Sequence, residues 1–447
     1  MKKILYIFPL IAMAFASCNN NEDLIFSESA ADRLNSSRIE AQDKLTSNGG
    51  LWAMEYFAND EEQGYVMLFR FNDDGSVVVS ANHKWIDNQF KQEKSLWTIG
   101  SDSGTVLSFN SYNSLFHVFS DPADITGPNQ PMNPDTDRPI DETGYGHSGD
   151  YEFIVMRDNN QDAMRLLGKK TGYEIFMYRL PSDTNEQEYL ENIRARERSI
   201  FSSYFPKLII TEKSTGERFV ATSENGFMTV YPENGHSIAQ AKTMNYITTR
   251  DGIRFMKPFE VYRAENGETT MEEFKFTEDG GLECEDFVFS LPIDNYEQLF
   301  FDRSLSWDMV IGDGSCNEFN TAFDAFKTSY DKYFRSRGSK LNGIRFEFDN
   351  QNNKDVLSLV KSGSAGEMTY TRNSEIDANG LLHLNISLTN TSNNGALVLK
   401  NVSGSQEFFN MLNSHSYKVT YRSALAPDVV TLTDVANPAF FFNMQLH

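Results

Sequence analysis

VMLFRFNDDGSVVV (residues 66–79) combines two apolar runs with a turn-forming pair between them. Apolar residues alternate or cluster up to Phe71, an Asp74-Gly75 pair follows, and a second apolar run begins at Val77. A two-residue turn between antiparallel strands needs positive φ angles, which Asn-Gly and Asp-Gly pairs adopt at little cost. The stretch therefore predicts a β-hairpin.

The same turn chemistry recurs along the whole chain. Asn-Gly occurs seven times and Asp-Gly four times in 447 residues. Two more hairpins are predicted, one from 218–222 with 227–231 and one from 381–388 with 396–400. The fold class expected is mainly β, with antiparallel barrel-like or sandwich-like modules joined by a few helices.

Helical periodicity is confined to four stretches. The first, Ser29–Leu45, begins with a capping pair, Ser29 and Asp32. The other three stretches are Asn185–Phe205, Asn317–Phe334 and Gln406–Asn413. The third carries aromatic residues at helical spacing, which is typical of a core-facing helix rather than a cofactor site. These helices suggest the following organisation: signal peptide (1–17), tether and short helix (18–46), N-terminal β domain (47–181), linker helix (182–205), middle β domain ending in the aromatic helix (206–336) and C-terminal β domain (337–447). Whether these make two or three β domains stays open.

The N-terminus has the pattern of an export signal. Lys2 and Lys3 precede an apolar run, residues 4–16, that is too short to span a bilayer. The run ends at Ala16-Ser17-Cys18, which resembles a bacterial lipoprotein signal and implies that Cys18 is lipidated. An ordinary signal peptide with a chance cysteine is the alternative. The residues after Cys18, Asn-rich and acidic, resemble surface-export signals, so a lipid-anchored outer-membrane location is expected.

Charge narrows the choice of partners. The chain has 40 Lys and Arg against 63 Asp and Glu, a formal net charge of -23 at pH 7. Such an excess of acid argues against nucleic acid and against anionic lipid surfaces as binding partners. Contact with a membrane is therefore expected only through the lipid anchor on Cys18.

The cysteines and histidines predict neither a metal site nor a cofactor. Cys284 and Cys316 could form a disulfide in an oxidising compartment, or could be two buried free thiols. Neither belongs to a CxxC pair. A GxGxxG match at 144–149 precedes a predicted strand instead of the helix that a dinucleotide fingerprint requires. No metal, no cofactor and no catalytic residue is therefore assigned.

One proline- and glycine-rich segment, residues 120–149, shows neither strand nor helix periodicity, and long loops of this kind are often functional. Acids, histidines and tyrosines in and beside it form the candidate ligand-binding set: Tyr112, His117, Asp121, Tyr145, His147, Asp150, Tyr151 and Glu152. Aromatic rings beside acids suit sugar recognition. Paired carboxylates such as Asp150 and Glu152 could also serve a glycosidase. In the third interpretation, His117 and Asp121 only tie the loop to the barrel.

The order of motifs around this segment resembles one family. Residues 107–113 (LSFNSYN), His117, Asp121-Pro122, 149–153 (GDYEF) and 167–172 (LGKKTG) are similar to the domain-of-unknown-function family 4302 of gut-bacterial lipoproteins. The resemblance covers Cys18 to Leu180 clearly and the remainder loosely, and Leu51 between Gly50 and Trp52 departs from it. It implies an accessory role in nutrient uptake at the outer membrane, but no chemistry.

The function expected is that of a lipid-anchored cell-envelope accessory protein that binds a glycan or a protein partner, such as an outer-membrane uptake protein. A glycan-directed hydrolase and a purely structural interaction platform are the alternatives.

Overall fold

The computed structural model describes residues 29–102, 104–121, 132–133, 138–139, 147–234, 240–263, 267–293 and 296–447. The chain forms two compact units, residues 1–190 and 191–447. The prediction of a mainly β fold is confirmed, because two closed eight-stranded barrels and one ten-stranded sheet dominate the described residues.

The first unit is built around an antiparallel barrel with the strand order β1-β10-β9-β8-β5-β4-β3-β2. A two-stranded ribbon, β6 with β7, is separate from it. The strands are β1 (Leu51–Tyr56), β2 (Tyr65–Phe71), β3 (Ser76–Ala81), β4 (Lys91–Ser101), β5 (Thr105–Phe109), β6 (Met132–Asn133), β7 (Arg138–Pro139), β8 (Glu152–Val155), β9 (Ala163–Gly168) and β10 (Glu174–Arg179).

Helix α1 (Ala30–Thr46) packs its last turns on the barrel core. The predicted cap is present, since the Ser29 side chain accepts a hydrogen bond from the Asp32 N–H. Ala41 and Leu45 are buried with the inward-facing residues of the barrel, and the Trp52 indole donates to the Leu45 carbonyl over 2.9 Å. The N-terminal helix is thus part of the first unit's core.

Strand β1 is buried on both faces. Its inward residues Trp52 and Met54 belong to the barrel core, while Leu51 and Ala53 pack outside the barrel against Leu190 and others. Leu190 lies in helix α2 (Glu186–Ile200). The start of this helix is fixed by Glu186, whose carboxylate accepts two hydrogen bonds from the Arg70 guanidinium, at 3.1 and 2.6 Å.

The second unit contains a second closed antiparallel barrel and a curled ten-stranded sheet that share one hydrophobic core. The barrel strands are β11 (Lys207–Glu212), β12 (Arg218–Glu224), β13 (Phe227–Pro232), β14 (Lys242–Thr248), β15 (Gly252–Tyr262), β16 (Glu268–Phe276), β17 (Leu282–Glu283) and β18 (Phe287–Ser290). The sheet strands are β19 (Trp307–Met309), β20 (Leu341–Asp349), β21 (Lys354–Lys361), β22 (Thr369–Arg372), β23 (Glu375–Ile376), β24 (Leu382–His383), β25 (Ile386–Thr391), β26 (Tyr417–Tyr421), β27 (Val429–Asp434) and β28 (Phe441–Leu446).

Three helices of the second unit are α3 (Asn317–Tyr333), α4 (Asn393–Asn401) and α5 (Ser405–Asn413). The aromatic stripe of α3 is buried in the core, as predicted: Phe319, Phe323, Phe326 and Tyr330. Helix α5 begins one residue before the predicted Gln406 and ends at Asn413, as predicted. Helix α2 ends at Ile200, earlier than the predicted Phe205.

The hairpins predicted at Asp74-Gly75 and Asn225-Gly226 are confirmed by the pairing of β2 with β3 and of β12 with β13. Both residues of the second turn have positive φ, 52° and 81°. The strand predicted at 396–400 is wrong, because these residues lie in α4. Ser392 caps that helix through a hydrogen bond from the Gly395 N–H, so Asn394-Gly395 opens a helix instead of a hairpin.

Candidate ligand-binding surface on the first barrel

Three of the predicted site residues form a row of aromatic rings. The His117 ring lies between Tyr112 and Tyr151, with centroid distances of 5.6 and 5.7 Å and interplanar angles of 30° and 38°. Tyr112 is 62% exposed and Tyr151 is 45% exposed. Tyr112 and His117 lie on the connection that follows β5, whereas Tyr151 lies just before β8, and the fold brings the three together as one surface, called here the aromatic row.

The backbone fixes the central ring of the aromatic row. His117 begins a short 3-10 helix, His117–Phe119. Its Nδ1 accepts a hydrogen bond from the Asn113 N–H at 3.1 Å, and its Nε2–H donates to the Phe109 carbonyl at 3.2 Å. Burial lowers the pKa of His117, although the hydrogen bond to the Phe109 carbonyl opposes the shift. The imidazole is thus held in one orientation as a rigid support for the exposed tyrosines.

The turn that carries His117 is anchored by buried Asn113. Its side-chain amide donates to the Glu93 carbonyl and to the Ser95 hydroxyl, each over 3.2 Å, while its oxygen accepts from the Leu115 N–H. Asp121 closes the far end of the turn, since its N–H donates to the His117 carbonyl at 2.8 Å. The turn is therefore ordered by contacts within the first unit.

Asp150 stabilises a turn. Its carboxylate accepts hydrogen bonds from the backbone N–H of Lys170 at 2.6 Å and from both the N–H and the hydroxyl of Thr171. Its own carbonyl accepts from the Tyr56 hydroxyl at 2.9 Å. These donors satisfy a buried carboxylate that would otherwise be costly to desolvate, and they fix the connection between β9 and β10.

Glu152 lies at the start of β8 in a half-exposed ion-pair group. Its carboxylate accepts from the Ser108 hydroxyl at 3.1 Å and from the Lys169 ammonium at 3.2 Å. Lys169 also pairs with Asp102 at 2.8 Å. Asp150 and Glu152 thus bind different groups. The Asp150 carboxylate accepts hydrogen bonds from the Lys170–Thr171 turn, and the Glu152 carboxylate pairs with the Lys169 ammonium.

His147 is completely buried and pairs with a residue that sequence reasoning missed, Glu62. His147 Nδ1 donates to Glu62 Oε1, whereas its Nε2 has no hydrogen-bond partner among the described residues. The other carboxylate oxygen accepts from the Tyr65 hydroxyl at 3.2 Å and from the Trp85 indole at 3.0 Å. This cluster joins residues far apart in the chain, and no local motif marks Glu62.

The pKa of Glu62 reflects two opposing effects. Burial raises it, but the hydrogen bond and charge of His147, with smaller contributions from Asn59 and Lys84, outweigh burial and lower the pKa. The buried carboxylate is therefore ionised in the folded protein. Close by, His83 is also buried, and burial lowers its pKa to about 4.

The remaining predicted residues take no part in the aromatic row. Tyr145 and Cys18 lie outside the described residues. Cys284 and Cys316 are both free thiols in the second unit, and Cys316 caps α3 by accepting from the Phe319 N–H at 3.5 Å.

Two features are absent from the described residues. No group of three or more His, Cys, Asp or Glu side chains is arranged to hold a metal ion. No helix in the described part of the chain is long and apolar enough to cross a membrane.

These observations define the class: a mainly β protein with two barrels and an exposed aromatic row on the first. A family model described as a domain of unknown function (DUF4302) matches residues 22–278, more than half of the chain. The chain belongs to this family, as its sequence motifs predicted. The match includes every strand of the first barrel.

Comparison with curated proteins finds no match. Among solved structures, the DNA polymerase beta subunit of Streptococcus pyogenes is 11% identical, with 91% of this chain and 96% of that chain covered and a TM-score of 0.15. The beta clamp of Helicobacter pylori bound to a DNA ligase peptide is also 11% identical, with 93% and 97% covered and a TM-score of 0.13. TM-scores this low carry no information about the function or partners of this chain.

Proposed function

We propose that this chain is a lipid-anchored binding protein of the cell envelope, and that its first barrel binds a glycan through the aromatic row. The observation that carries the proposal is the arrangement of two exposed tyrosine rings on either side of a histidine ring fixed by the backbone. Sugar rings present C–H faces that pack on aromatic rings, and their hydroxyls need polar groups nearby. Glu93 and Asp121 lie close enough to influence the pKa of His117.

Rigidity favours binding at this surface. Ordering a mobile tyrosine on a ligand costs conformational entropy, which a surface that is already ordered avoids. His117 has hydrogen bonds on both ring nitrogens, and its ring contacts both tyrosines. A ligand that packs on the aromatic row would therefore meet a prearranged surface.

The hydrolase alternative receives less support from the same region. A glycosidase needs one carboxyl that can donate a proton and a second that is free to act as a base or nucleophile. The Asp150 carboxylate already accepts three hydrogen bonds from the turn after β9, and Glu152 is paired with Lys169. Neither group is free for such a role without disrupting these contacts.

The test is retention of the purified full chain on a panel of immobilised polysaccharides. For a retained glycan, Tyr112→Ala and Tyr151→Ala should each weaken binding about fivefold, because an aromatic contact contributes about 1 kcal/mol. Tyr333→Ala is the matched control, since Tyr333 is 46% exposed and lies in the second unit. Equal retention of all three variants, absence of any retained glycan, or release of reducing sugar would contradict the proposal.

The location is part of the proposal and rests on the N-terminal sequence. Ala16-Ser17-Cys18 follows a short apolar run, which supports lipidation of Cys18. Cys18→Ala should move the protein from the membrane to the soluble fraction, with Cys284→Ala as a control that leaves the fractionation unchanged. Membrane partition that survives Cys18→Ala would contradict the anchor. A role in nutrient uptake follows only if a glycan is bound at the cell surface.

A further inference from the structure

A groove separates α1 from the end of β8 and the connection that follows it. Its volume is about 410 Å³, within the range of small-molecule sites. Arg33, Ser36 and Glu40 of α1 line one side. Arg157 and Asp158 line the other. The groove contains none of the residues of the aromatic row, so an inference about it does not rest on the proposed function.

The groove has an apolar floor beneath polar walls. Ala41 and Met164 are buried at its base, and Val155 and Met156, which are partly buried, extend it at the end of β8. A purely ionic ligand gains nothing from such a floor. A ligand with one apolar face loses water from that face when it binds, which is favourable.

Arg157 is the one cation of the groove whose charge is uncommitted within the described residues. It is exposed and has no ion-pair or hydrogen-bond partner there. By contrast, Lys44 donates to the Asn160 carbonyl at 2.7 Å and faces the negative charges of Asp158 and Glu40, and the nearby Arg165 pairs with Glu174 at 2.9 Å. A guanidinium can bind a carboxylate through two parallel hydrogen bonds.

The acids of the groove limit the charge of the ligand. Glu40 and Asp158 lie on opposite walls, and their carboxylates would repel a second negative charge. The same oxygens, with the Ser36 hydroxyl, can bond with the hydroxyl groups of a ligand. A single carboxylate on a hydroxylated ring therefore fits the groove better than a doubly charged phosphate.

We infer that the groove between α1 and β8 binds a sugar acid, with the carboxylate on Arg157, the ring on the Met156–Met164 floor and the hydroxyls against Glu40 and Asp158. The groove requires a ligand with one negative charge, one apolar face and several hydroxyl groups. Uronic acids combine these features, whereas the corresponding neutral sugars lack the carboxylate.

The test is titration calorimetry of the purified full chain with D-glucuronate and D-galacturonate, compared with D-glucose, D-galactose and inorganic phosphate. At least one uronate should bind at least tenfold more tightly than its neutral sugar and than phosphate. Arg157→Gln should weaken that binding at least tenfold, which corresponds to the loss of one charge-assisted pair. Ser36→Phe should abolish it by filling the groove from an exposed position.

Two variants serve as controls. Arg335→Gln removes an exposed cation of the second unit, and Tyr333→Ala removes an exposed aromatic ring there; both should leave uronate binding unchanged. Absence of uronate binding would overturn the inference. So would binding that survives both Arg157→Gln and Ser36→Phe, or phosphate binding as tight as that of the uronate.

Discussion

The Arg179 guanidinium lies 4.4 Å from the centre of the Trp52 ring, and the two residues are direct partners where β10 pairs with β1. The same guanidinium donates to the carbonyls of Lys44 at 2.8 Å and Ser47 at 2.7 Å, at the C-terminus of α1. A positive charge at that end of a helix is favourable. Arg179 therefore stabilises both the closure of the barrel and the attachment of its helix.

Arg179→Ala should lower the free energy of unfolding of the first unit by about 2–3 kcal/mol, because it leaves carbonyl groups at the helix end without their charged donor. Urea unfolding followed by tryptophan fluorescence measures this, since three of the four tryptophans lie in the first unit: Trp52, Trp85 and Trp97. Arg165→Ala is the control, as it removes only an exposed ion pair with Glu174 and should cost less than about 1 kcal/mol. Equal losses would contradict this account of Arg179.

Glu62→Gln should destabilise the first unit by about 3 kcal/mol, because its amide NH₂ would face donors that now bond with a carboxylate oxygen. The neighbouring Glu61 is exposed, so Glu61→Gln removes the same charge without entering the buried cluster. Unfolding of the two variants under identical conditions gives the comparison. A Glu62→Gln protein as stable as the Glu61→Gln protein would show that the cluster does not stabilise the fold.

His83 should make the first unit less stable in mild acid. Its pKa falls from 6.5 to about 4 on folding because the ring is buried, although the hydrogen bond to the Leu115 carbonyl opposes this shift. Between these values the unfolded chain binds a proton that the folded chain does not, so stability falls as the pH falls. From pH 7 to pH 5 the contribution is about 2 kcal/mol.

Replacing His83 by Gln should remove that part of the pH dependence, measured as the free energy of unfolding at pH 7 and pH 5. His447→Gln, at an exposed position in the second unit, is the control. Glu62 does not contribute strongly in this range. Its pKa is lowered on folding from 4.5, so its stabilisation is present above that value and is lost as the pH falls below it. A His83→Gln protein with the original pH dependence would refute the assignment.

Gly168→Ala tests the turn that Asp150 stabilises. A Cβ at residue 168 would lie 2.3 Å from Asp150 Oδ2 and 2.7 Å from Thr171 Oγ1. Relief of these overlaps must disturb the hydrogen bonds of the turn, so we expect a loss of about 1–3 kcal/mol. Gly100→Ala meets no atom within 4 Å and is the matched strand control. A thermal unfolding midpoint that is the same in both variants would contradict the prediction.

Local patterns were sufficient wherever neighbouring residues decide the conformation. Gly75 and the Asn225-Gly226 pair predicted their hairpins because positive φ is a local property, and the structure has positive φ at all three residues. The α3 stripe predicted its buried face because helical spacing aligns the rings. The hairpin predicted at Asn394-Gly395 is wrong, because the Ser392 side chain caps a helix there and the Asn-Gly pair lies in the first turn of α4.

The β class, the main helices and the family follow from the sequence, because periodicity, turn residues and the order of motifs can be read directly along the chain. The contacts of the candidate site residues, in contrast, depend on the tertiary structure. The His117 ring contacts Tyr112 and Tyr151. The Asp150 carboxylate accepts a hydrogen bond from the Thr171 N–H, and His147 pairs with Glu62, which is 85 residues away in the chain. A buried polar group must form hydrogen bonds with donors or acceptors that lie within about 3 Å. Closure of the barrel determines which groups lie that close, independently of their separation along the chain.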